Sequence, residues 1–153
     1  MKWPGGKQAE SRAPWGPGLL LLAGVYNVAW GLFVIGWPET MFRRAGFEPM
    51  PNYPELWQCL GMVIGVYGIG YLIAATDPLR HWPIVLVGLL GKVFGPIGFV
   101  WAAAHGRLPW SFGGMLVTND LLWWIPFGVL LWDAWKHHQG SCQDVDHRVR
   151  YAG

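Results

Sequence analysis

Four apolar runs, at 15–37, 54–76, 83–104 and 110–135, leave this chain few ways to fold. At about 1.5 Å of rise per residue, each is long enough as a helix to cross a hydrocarbon core of about 30 Å. Backbone placed in lipid must satisfy its own N–H and C=O groups, which a helix does within one segment. Hydrophobic residues fill 53% of the 153 positions and charged residues 13%, so a soluble domain with a polar shell is excluded. The expected architecture is all-α: an integral membrane bundle of four transmembrane helices over 15–135. A disordered tail at 1–14 and a flexible tail at 136–153 flank it, both on the cytoplasmic side.

The punctuation agrees. Pro17, Pro54 and Pro83 stand where a first-turn proline costs no hydrogen bond. Trp15, Trp37, Trp57, Trp82, Trp101, Trp110, Trp132 and Trp135 fall near the run ends, as an aromatic belt requires. The first run lacks a small-residue cleavage pattern and is read as a permanent helix. From Glu39 to Phe47, apolar Met41, Phe42 and Phe47 alternate with Glu39, Arg43 and Arg44, which predicts a short helix lying in the interface.

Orientation follows from the basic residues. Lys2, Lys7, Arg12, Arg80, Lys136, Arg148 and Arg150 share the side of both termini, while Arg43, Arg44 and Arg107 lie opposite. Both termini are therefore expected in the cytoplasm, with the chain in a bacterial inner membrane. Nothing points to nucleic acid: net charge is +2, the basic residues are scattered, and no zinc-finger, helix-turn-helix or P-loop spacing occurs.

Within these runs stand two charges, Lys92 and Asp120. Counted from Pro83, Lys92 lies about 14 Å deep, and counted from Trp110 on the other side, Asp120 lies about 15 Å deep. On adjacent antiparallel helices the ammonium and the carboxylate would meet near the midplane. Asn27 falls at a similar depth, Asn119 joins them, and Tyr26 and Tyr67 can add hydroxyls. Lys92 sits beside a stripe of Gly88, Gly91, Gly95, Gly98 and Ala102 suited to helix contact, which predicts that it faces a neighbour rather than lipid. The second span offers a matching stripe of Gly61, Gly65 and Gly68. Pro96 releases the carbonyl of Lys92 from its helical bond, and Pro126 that of Leu122, so each needs a polar neighbour.

Such a pair serves either structure, fixing which helix packs on which, or ligand and proton handling. A further reading starts the fourth helix near Thr118 and makes Asn119 or Asp120 its N-cap. Glu55, Gln58 and Arg107 can form a polar vestibule at the outer surface. Trp30, Trp123 and Trp124 lie deep, where rings line a pocket or, more simply, fill the bundle core. Cys59 is read as a small buried residue, and Cys142 lies on the opposite side, so no disulfide is expected between them. His137, His138, Cys142, Asp144, Asp146 and His147 match no standard metal spacing, so no metal is predicted. No nucleophile, base and orienter can be assembled, and the chain is read as non-catalytic.

The stretches Pro51–Cys59, Gly91–Phe99 and Thr118–Phe127 resemble a family of small four-helix bacterial membrane proteins, over about Trp15 to Trp135. Members of that family sometimes carry the label alkyl hydroperoxide reductase. This chain has neither a peroxidatic cysteine motif nor a Cys-x-x-Cys. The layout is also similar to DoxX-type proteins, and that likeness implies a membrane subunit of an oxidoreductase. The leading expectation is a binding module for a lipophilic ligand, a quinone among the candidates, held by Asn27, Lys92, Asn119 and Asp120 with Tyr67 and Trp123 nearby. The alternative is a proton-coupled carrier of a small solute, with Asp120 titrating beside Lys92. The bilayer is the first partner; a homo-oligomer or an oxidoreductase subunit is the second.

Overall fold

The structure, a computed structural model, describes residues 13–151, with side chains to residue 139. Helix α1 (Gly16–Gly36) is followed by the short α2 (Glu39–Arg44), then α3 (Pro54–Ala74) and α4 (Trp82–Ala104). The fourth span opens with a 3-10 turn (Trp110–Gly113) and α5 (Gly114–Leu116), widens into a π turn (Val117–Leu121), and continues as α6 (Leu122–Tyr151). Four helices are long and apolar enough to cross a membrane, and no strand occurs among the described residues. Large apolar side chains face outward along them, among them Leu22, Leu32, Val66 and Ile125, the last 79% exposed. Such a surface suits acyl chains as its solvent.

The expected spans agree with the observed helices to within a residue or two, except at the C-terminus. Helix α6 continues through Lys136 to Tyr151, where a flexible tail was expected. No proline follows Pro126, and the single Gly140 costs a helix only about 1 kcal/mol, so nothing in the sequence terminates it. The expected tail at 1–14 falls almost wholly outside the described residues; Ala13 is buried, and its carbonyl accepts from Gly16 N–H at 2.9 Å.

Two helix ends share one device. After α2, Phe47 N–H donates to Phe42 O at 3.1 Å and Gly46 N–H to Arg43 O at 3.2 Å. After α4, Arg107 N–H donates to Ala102 O at 2.9 Å and Gly106 N–H to Ala103 O at 3.0 Å. Each is a Schellman closure, and both glycines adopt positive φ, 73° and 67°, where a Cβ is disfavoured. The Phe42 and Phe47 rings, 5.2 Å apart, supply the apolar contact that accompanies such a closure. Phe112 then stacks on Phe42, and Ser111 Oγ donates to Ala45 O at 2.6 Å, which joins α2 to the fourth-span entry.

Packing divides the bundle into two pairs, α1 on α3 and α4 on the fourth span. The first pair meets along glycines. A Cβ on Gly31 would lie 2.5 Å from Gly61 O and 2.9 Å from Gly65 N, and one on Gly68 would lie 2.8 Å from Gly24 O. The stripe on α3 thus serves α1 rather than α4, because α1 carries bare backbone at the matching heights. Gly91, Gly95 and Gly98 are exposed, and α4 turns inward the row Val85, Gly88, Lys92 and Pro96 instead. The two pairs are joined by a core of Leu20, Ala23, Tyr71, Val85, Trp123 and Phe127.

Candidate functional site

Lys92 and Asp120 are 5% and 6% exposed, and with Asn27 at 3% they are the buried polar residues of the described core. The inward phase expected for Lys92 holds. Its direct ion pair does not: Lys92 Nζ donates to the backbone carbonyl of Asn119 at 2.5 Å, with the Trp123 ring centroid 5.8 Å away. An ion pair forms elsewhere, Arg43–Glu39 at 2.6 Å on the exposed face of α2.

The π turn explains the substitution of a carbonyl for a carboxylate. Leu122 N–H reaches back five residues to Val117 O, which displaces the ladder by one residue and releases carbonyls. Two of these accept side chains: Asn119 O takes the Lys92 ammonium, and Thr118 O takes Trp123 Nε1–H at 3.0 Å. Since helical winding begins at Trp110 and runs through Asp120, the N-cap reading of Asn119 and Asp120 is incorrect. Asp120 instead accepts Asn119 Nδ2–H at 3.1 Å, with its other oxygen 4.0 Å from where a Cβ on Gly95 would lie.

Pro96 acts as its position requires. The carbonyl it releases at Lys92 accepts Trp124 Nε1–H at 2.9 Å, so the lysine is tied to the fourth span through both its side chain and its backbone. Trp124→Phe removes that donor and leaves a buried carbonyl unpaired. It is expected to cost about 1–3 kcal/mol, read as a lower midpoint in denaturing-detergent titration, with Trp132→Phe near zero as the exposed control.

Not every expected residue joins this cluster. Trp123 does, with its ring beside Lys92 Nζ, and it also reaches the core, 5.7 Å from the Tyr26 ring. Tyr67 is half-buried and contacts Tyr71, ring centroids 6.5 Å apart. Tyr71 was not singled out from the sequence, yet it is buried, packs its hydroxyl end against Gly88, and lies close enough to Asp120 to feel its charge. The signal for it was Gly88 on α4, whose missing side chain makes room for a ring.

The outer vestibule does not assemble. Gln58 Nε2–H donates to Ile35 O at 2.7 Å, closing the last turn of α1. Arg107 lies over the Trp101 ring at 4.9 Å, and Glu55 is exposed; no hydrogen bond or ion pair joins the three among the described residues. Cys59 is exposed rather than buried, because the face of α3 turned to α1 is taken by its glycines.

Two buried side-chain acceptors have no hydrogen-bond partner: Asn119 Oδ1, beside Lys92 and Asp120, and Asn27 Oδ1, on α1 between Gly24 and Gly31. Each costs free energy until a donor reaches it. Lys92 spends one of three N–H donors on Asn119 O. The cluster of Lys92, Asn119 and Asp120 thus holds a spare acceptor and spare donors. Comparison with protein-family models, curated proteins and solved structures gives no match.

Proposed function

We propose that this chain is a non-catalytic membrane module that binds a lipophilic ligand at the polar cluster of Asn27, Lys92, Asn119 and Asp120. The observation that carries the reading is the unpartnered buried acceptor Asn119 Oδ1, on the residue whose backbone carbonyl holds an ammonium with unspent donors, with Asn27 Oδ1 on α1 a second buried acceptor without a partner. A quinone–quinol ligand suits both needs, since its carbonyl accepts from Lys92 and its hydroxyls donate to asparagine. Asn119 O holds the ammonium in place, and Asp120 is the second buried charged side chain, one residue further along the turn. Such a module works as the membrane subunit of an oxidoreductase, in a DoxX-like arrangement. The exposed Gly91, Gly95 and Gly98 edge of α4 suits contact with that partner or with a second copy. The excess of basic residues on the side of the termini supports a bacterial inner membrane with both termini in the cytoplasm.

Native mass spectra of gently extracted protein test this. The wild type should retain one quinone-like mass per chain and Asp120→Asn should lose it; spectra with bulk phospholipid alone in both would sink the reading. A proton-coupled carrier is the second reading, favoured by an Asp120 carboxylate with no direct ion pair. Asp120→Asn should then abolish solute-driven proton flux in vesicles while leaving the bundle folded.

A further inference from the structure

An apolar groove of about 690 Å³ runs along α4 and the fourth-span entry, from beside Trp124, the indole that binds Lys92 O, to His105 at the outer end. Pro96, Leu121 and Trp124 form its inner end, and Trp101, Ala104 and His105 its outer end. From Pro96 to His105 is nine residues of helix, about 14 Å of rise, close to the depth of one leaflet in a core of about 30 Å. None of the lining residues is acidic.

Polarity appears at the outer end only. His105 Nδ1 is 2.7 Å from Trp101 O, and its ring lies 4.6 Å from that of Trp101. The Arg107 guanidinium sits over the same indole at 4.9 Å. Its backbone is held by the Schellman closure on Gly106, so the arginine is fixed two residues beyond the groove mouth. The C-terminus of α4 carries roughly half a negative charge, which the full charge of Arg107 outweighs.

An occupant must therefore be apolar along one leaflet and anionic at the water interface. We infer that the groove holds an acyl chain of an anionic phospholipid whose phosphate is bound by Arg107. Guanidinium pairs with phosphate through two parallel N–H donors, a geometry that a zwitterionic headgroup offers with less net attraction. The lipid enters in its ordinary bilayer orientation, and the site is separate from the midplane cluster.

The test uses the full chain in nanodiscs of phosphatidylglycerol or phosphatidylcholine with identical acyl chains, released into native mass spectrometry. The wild type should retain phosphatidylglycerol about fivefold better than phosphatidylcholine, the ratio that about 1 kcal/mol per surface arginine corresponds to. Arg107→Gln should remove the preference, and Ala104→Trp, which fills the outer groove, should remove both lipids. Both positions are exposed, so both variants should fold. Asp120→Asn should leave phosphatidylglycerol retention unchanged, which separates this site from the midplane one. Equal retention of the two lipids by wild type, or an undiminished preference in Arg107→Gln, would overturn the inference. So would a quinone-like mass lost in Ala104→Trp but kept in Asp120→Asn.

Discussion

Gly31→Ala should unfold the bundle far more readily than Gly18→Ala in the same helix. The added Cβ would lie 2.5 Å from Gly61 O, 2.9 Å from Gly65 N and 3.0 Å from Gly65 Cα, all backbone atoms that cannot rotate away. Relief requires α1 and α3 to separate, and their contact is the most extensive between the described helices. Overpacking of a tight contact costs about 1–3 kcal/mol, and a clash with facing backbone belongs at or above the upper end. Gly18→Ala supplies the control: it is exposed, nothing lies within 4 Å of its Cβ, and alanine favours helix by up to about 1 kcal/mol. Denaturing-detergent titration of helicity compares the two. Similar midpoints would mean that the glycine seam does not hold α1 to α3.

The second large effect is at Lys92. Lys92→Met takes the donor from Asn119 O and leaves the Asp120 carboxylate buried without its nearby cation. Leaving that buried carbonyl without its charged donor costs about 1–3 kcal/mol, and the loss of the nearby cation adds to it. The double variant Lys92→Met with Asp120→Leu removes both charges and should recover part of that stability. Its ligand content then separates the roles. The binding reading expects a folded double variant with no quinone-like mass. A folded double variant with undiminished ligand would make the pair purely structural.

The sequence alone was enough for the four helices, all their ends but the last, and the inward face of Lys92, because each depends on neighbours within a turn or on the length of an apolar run. Pro96 belongs with them: proline always releases the carbonyl four residues back, so a polar contact at Lys92 O was required, although its donor, Trp124, was one of several deep indoles. Gly106 likewise marks the end of α4 by its tolerance of positive φ.

The tertiary structure decided what depends on pairing. Gly61, Gly65 and Gly68 announce a close helix contact, but small-residue stripes occur on α1, α3 and α4, and only the assembled bundle selects α1. The midplane charges differ for a related reason. Their depths are set by counting residues from each surface, whereas their contact depends on one extra residue wound into the turn at Val117–Leu121. That π turn presents Asn119 O to the ammonium ahead of the Asp120 carboxylate. A one-residue shift rotates every later side chain by about 100°, and local sequence preference does not encode it. Helix formation is settled within each segment by its own backbone hydrogen bonds, while the choice of partner is settled by which surfaces meet without a gap or a clash.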